Sequence, residues 1–245
     1  MTAPTLDVEP ACPGPVETPD RPARAHTAAP ALRAERRPFA EIPRDTWDRL
    51  AARQPWATPF SGWAFHQAWW DAYGANAHEE TLVVMPADGP VSGPADEIVA
   101  IVPLMHRHAV EASDAETHTT MRHGTHADLT PVPPTAKAVF FGASYHADYA
   151  TILADPADLS AVAAALADYF AGPDCGDWDA VDLRRLRCGD PAADAMAAAF
   201  GVREIAEGWT LNVEREDVCP VATFPEGVDM EGFLATLGSR VRFRL

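Results

Sequence analysis

Apolar positions along the chain change period several times, and each change marks an element. TLVVMPADG from Thr81 and EIVAIVPLMHRHA from Glu97 are short apolar runs rich in Val and Ile. They are too short for helices and are separated by the Gly/Pro-rich DGPVSGPAD, which predicts two strands joined as a hairpin. THTTMRHG (117–124) and KAVFFG from Lys137 predict a third and a fourth strand, with the loop THADLTPVPPT between them. WDAVDLRRL from Trp178 alternates as another strand, and VREIAEGWTLNVE from Val202 predicts the last.

Helical spacing governs the remaining segments. Asp45 stands where an N-cap would, with Trp47 and Leu50 on the inner face behind it. FSGWAFHQAWWDAYG places Trp63, Ala64, Ala68, Trp69 and Trp70 near a helical period, with Ser61 as N-cap and Gly74 as the stop. Such a concentration of indoles favours a packing element over a sugar-binding platform. DPADLSAVAAALADYFAG carries the clearest signals: Asp155 to cap, Pro156 at the first position, Gly172 to close. PAADAMAAAFG predicts a short helix ending at Gly201, and VDMEGFLATLG opens one at Asp229. The element order implies an α/β or α+β fold, a sheet with helices on its faces.

Composition sharpens this picture at three points. Residues 1–37 are rich in Pro and Ala and lack aromatic residues before Phe39, so they cannot offset their ordering entropy and are expected to form a disordered tail. A net charge of -17 opposes binding to a phosphate backbone and excludes nucleic acid as a partner class. No apolar run approaches the roughly 20 residues of a membrane span, and the N-terminus lacks a secretory pattern, which makes the cytoplasm the expected compartment. Cys12, Cys175, Cys188 and Cys219 lack metal or redox spacing and read as thiols in a reducing compartment.

Candidate chemistry is sparse. His106 and His108 would share one face of a strand, and His118, His123, His126 and His146 follow with Asp128 and Asp148 nearby, the raw material of a metallohydrolase. None of these has diagnostic ligand spacing, and no metal site is assigned. FGASY (141–145) lacks the second glycine of a nucleophile elbow. RCGDPAAD from Arg187 joins a strand to a helix, so Gly189 could stand at an anion-receiving helix start, although Asp190 suits an ordinary capped connection better.

The ordered set of segments is more telling than any one of them. Trp47 and Leu50, then FSGWAFHQAWWDAYG, LVVM, IVAIVPLMHR, VFFGASYHADYATIL with Asp148–Tyr149, WDAVDLRRL and FLATLGSRVRFRL together resemble the N-terminal half of the CelD/BcsL-type GNAT acyltransferases. These are similar in plan to the Fem-type aminoacyl transferases, with two GNAT-like halves in tandem. The resemblance implies a mixed, largely antiparallel GNAT-like sheet over 38–228. It also implies that 229–245 begins a linker helix to a second half that holds acetyl-CoA or another acyl-CoA. A GNAT pyrophosphate loop needs successive backbone N–H groups in an R/Q-x-x-G-x-G/A setting, which this sequence lacks. The expectation is therefore the N-terminal half of an N-acyltransferase, inactive and without bound cofactor by itself, with catalytic and cofactor residues unassigned. Its partner class would be a small-molecule or sugar-amine acceptor, and its apolar C-terminal residues would favour self-association. A non-catalytic binding module is the alternative.

Overall fold

The structure, a computed structural model, describes residues 31–91, 93–106, 137–143, 146–176, 178–213, 227 and 229–236. Two compact units divide the chain, Met1–Glu214 and Arg215–Leu245. In the first, strands β1 (Leu32–Arg36), β3 (Leu82–Pro86), β4 (Ala100–Val102) and β7 (Leu153–Ala154) form one sheet in that order, all antiparallel. A second sheet has the order β2 (His78–Glu79), β5 (Leu104–His106), β6 (Ala138–Phe141) and β8 (Ala180–Asp182), with only the β6–β8 pair parallel. The expected α+β architecture, a mostly antiparallel sheet flanked by helices, is what the chain forms.

The two sheets share their chain paths. β2 continues into β3 through Glu80–Thr81, and β4 continues into β5 through Pro103. Proline has no N–H for the ladder, so the central strand must break there. The joint is held by bonds on both sides: Glu80 N–H donates to Leu104 O (2.9 Å) and Gly142 N–H to Pro103 O (2.8 Å).

Both faces of the first sheet are covered, which explains why LVVM and AIV read as unbroken apolar runs. Leu82, Val84, Ala100 and Val102 pack beneath α3 (Leu159–Ala171) and α4 (Pro191–Glu207). Val83, Met85 and Ile101 face the opposite way, onto Trp47 and Leu50 of α1 (Arg44–Arg53) with Phe39 and Ile42. Trp47 is fully buried, and its Nε1 donates to Ser61 O at 2.9 Å, so the indole is satisfied as well as packed. α2 (Trp63–Tyr73) sends Trp69 onto Met105 and Ala143, while Trp63 and Trp70 pack against the α1 core from partly buried positions. The tryptophan-rich helix is thus a packing element.

Several local expectations change. β1 lies inside the segment expected to lack order before residue 37: Ala34 pairs with Val84 and Glu35 with Val83, so pairing supplies what composition does not. Residues 1–30 lie outside the described part. Asp45 sits in the first turn of α1, where its charge suits the helix N-terminus, but Pro43 holds the cap position. Ser61 closes a capping box with Thr58, and Gly62 caps α2. Asp155 Oδ1 takes the Ala157 N–H (3.0 Å), and α3 starts only after Asp158. α4 runs through Gly201 to Glu207, so VREIAE is helical, not extended; the true stop is Gly208, left-handed at φ 74 with its N–H on Glu204 O. The strand expected at 117–124 lies outside the described residues. In the second unit, α5 (Met230–Thr236) begins as expected, with Asp229 Oδ1 accepting from Gly232 N–H at 2.8 Å.

Candidate functional site

The bend at Pro103 sets the far ends of β2 and β5 opposite each other. Their register pairs His78 with His106, whose rings stack at 4.5 Å and 13°. Glu80, in the link after β2, is buried, and its Oε1 lies 2.9 Å from His106 Nδ1. The approach is close but off the line of a straight ring N–H bond. Glu80 Oε2 meets Arg36 Nη1 from the end of β1 at 3.2 Å, and Arg36 Nη2 donates to Glu79 O at 2.7 Å. Trp178, ahead of β8, lies 4.2 Å from the His106 ring, centroid to centroid.

Charge is poised rather than cancelled in this cluster. Burial pushes the Glu80 carboxyl above its ordinary range and Glu79 adds to that, while Arg36 pulls it back. Tyr169 of α3 feels the same carboxylate: burial first, then Glu80, pushes its hydroxyl up to about 12, so it stays a neutral phenol. Glu79 is engaged otherwise, accepting the Phe39 N–H, with its own carboxyl raised by burial. A carboxylate beside Nδ1 favours the tautomer with the proton there. A base oriented by a third group has the form of a general-base dyad.

Of the residues singled out in the sequence, His106 alone enters this cluster. His108, His118, His123, His126 and Asp128 lie outside the described residues. His146 belongs elsewhere: its Nδ1 accepts from Trp69 Nε1 at 3.0 Å, and Tyr73 stacks on it at 4.4 Å. Asp148 is exposed. Among the described residues no three His, Cys, Asp or Glu side chains gather as a metal-ligating group. In FGASY, Ala143 carries a positive φ of 62, and Ser144 and Tyr145 lie outside the described residues. The reading of all four cysteines as thiols needs correction: Cys175 is free, but Cys188 is disulfide-bonded, to a partner outside the described residues. His78, Glu80, Arg36 and Trp178 were not foreseen, because only strand register brings them to His106.

The α4 start answers the question raised by RCGDPAAD. Asp190 Oδ1 takes the Ala192 N–H at 2.9 Å, and Pro191 removes the donor before it. A pyrophosphate needs those N–H groups and no carboxylate beside them. This helix start is therefore an ordinary capped connection, as Asp190 suggested.

No helix among the described residues is long and apolar enough to cross a membrane. No protein-family model, curated protein or solved structure matches the chain.

Proposed function

We propose that this chain handles the acceptor in a GNAT-type N-acyl transfer: it binds a small amine, such as an amino sugar, and takes its proton onto His106. The Glu80–His106 pair, 2.9 Å apart beneath Trp178, is the observation that carries the reading. An alkylammonium has a pKa of about 10 and must lose a proton before its nitrogen can attack. Carboxylates and an indole face attract the cation, and the His106 imidazole accepts the proton while Glu80 stabilises the imidazolium that results. His78, stacked on the ring, holds its plane. The acyl donor is bound outside the described residues, and no step here passes through it. The same reading places the protein in the cytoplasm, a compartment that would work against the Cys188 bridge.

The test is an imidazole NMR titration of the full chain with D-glucosamine and with N-acetyl-D-glucosamine, which has no basic nitrogen. The His106 signals should shift saturably with the first and not the second, and Glu80→Gln should weaken the response about tenfold. Equal responses to both sugars, or none, would remove the reading. Micromolar binding of acetyl-CoA in a parallel calorimetric titration would place the donor site on this chain and overturn the division of labour.

A further inference from the structure

On another part of the fold, Arg187 is held with unusual completeness. Its guanidinium carbon lies 4.8 Å from the Trp56 ring centroid and 5.5 Å from that of Tyr149. Nη2 donates to Trp56 O at 2.6 Å. The backbone on either side is also constrained. Ala150 N–H donates to Arg185 O at 3.0 Å, and Asp190 N–H to Arg187 O at 2.9 Å. Gly189, at φ +87, lies beside Trp56: an added Cβ would meet Cη2 at an ordinary contact distance of 3.4 Å. Trp56 thus has the guanidinium over its ring and the Gly189 backbone beside it.

The arrangement leaves one edge of the guanidinium unused. Nη2 is its only nitrogen with a hydrogen-bond partner among the described residues. Arg187 is half-buried, and none of its nitrogens is sealed away from solvent without a partner. Aromatic rings along its faces and a carbonyl on one nitrogen remove most of its rotational freedom. The remaining N–H groups form a planar edge, which matches two oxygens of a carboxylate or phosphate. Asp190 is 1% exposed with Oδ1 committed to Ala192 N–H. Burial pushes its carboxyl above the ordinary range, and Arg187 is among the groups that pull it back.

We infer that Arg187, clamped by Trp56 and Tyr149, is a binding site for the oxyanion of a small ligand, a carboxylate or a phosphate group. The inference uses no residue of the His106 cluster and does not depend on the amine reading. Rigidity is its basis: an arginine already ordered loses little entropy when it forms the remaining bonds. The net charge of -17 works against any anion, so a bare inorganic ion should bind only at about millimolar concentration.

The experiment follows the Arg187 Nε–H signal of the full chain by NMR, assigned by its loss in Arg187→Lys. Inorganic phosphate, acetate and chloride are titrated at matched ionic strength. Saturable shifts with phosphate, acetate or both, and none with chloride, are expected; phosphate alone identifies a phosphate ligand, and acetate alone a carboxylate. Trp56→Leu should weaken the response about threefold to fivefold by freeing one face of the guanidinium. A linear or absent response to both oxyanions in the unaltered protein overturns the inference. So does an undiminished affinity in a folded Trp56→Leu variant. If Trp56→Leu does not fold, Tyr149→Leu removes the other face and is read the same way.

Discussion

Acidification should destabilise this protein through one side chain, His66 of α2. The imidazole is 4% exposed, packed 5.0 Å from Trp47 and 5.8 Å from Phe65, centroid to centroid. Its Nδ1 is buried without a hydrogen-bond partner. Burial holds its pKa down at about 4 against an ordinary 6.5, and a bond to the Phe60 backbone offsets only part of that. Between those values the unfolded chain carries the proton and the folded chain does not. Stability is therefore fully present above pH 6.5 and is lost as pH falls toward 4. At about 1.4 kcal/mol per pKa unit, moving from pH 7 to pH 5 removes about 2 kcal/mol, a large share of a typical domain's 5–15 kcal/mol. Glu79, Glu80 and Asp190, with raised pKa values, act in the opposite direction, so the wild-type curve alone does not isolate the effect. His66→Phe fills the site without titrating and leaves the other groups in place. Urea unfolding followed by far-UV circular dichroism at pH 7, 6 and 5 should show the variant losing about 2 kcal/mol less than wild type over that range. Parallel curves for the two proteins would refute the argument.

Other outcomes follow from the packing. Trp47→Ala removes a fully buried indole and should cost about 3–5 kcal/mol, read as a fall in urea midpoint at unchanged slope. Gln54, 3% exposed, donates to Ile152 O at 2.9 Å; Gln54→Met keeps the volume and strands that carbonyl, for a loss of about 1–3 kcal/mol in the same assay. Gly201 lies inside α4 with only ordinary contact to Leu211, so Gly201→Ala should raise the melting temperature, by about 0.5–1 kcal/mol of added stability. Elemental analysis of protein purified without chelator should find well under one equivalent of zinc, and a tightly held equivalent lost in His106→Ala would restore the hydrolase reading.

Much of the architecture was legible because burial on both sheet faces leaves a plain mark. LVVM and IVAIV could hardly be anything but covered strands, and Pro156 with Gly172 bracketed α3 closely. The misreadings have local causes. Gly201 was taken for a stop because glycine usually ends helices, but here the chain accepts its entropic cost and continues to Gly208, where a left-handed cap is formed. The candidate site was legible only as an isolated His106. Nothing in a linear pattern says that His78 lies across from it. That depends on the register of β2 on β5, which the break at Pro103 and the Glu80–Leu104 bond set. Arg36 arrives from β1 and Trp178 from the residues just before β8, a distance in sequence that no period can report.

β1 has a practical consequence for anyone who works with this protein. A boundary drawn from composition would start a shortened version at Phe39 and discard Leu32–Arg36 as tail. That cut would strip the N–H and C=O groups of Leu82–Pro86 of their partners along one side. It would also take away Leu32 and Ala34, which pack against the core under α3. An open five-residue edge reading LVVMP, without a charge of its own, is a template on which further chains can add. The strand that covers it reads LRAER, and its charged side chains make it a poor template in turn. Expression that starts at or before Ala31 should give dispersed protein, and expression from Phe39 should give inclusion bodies.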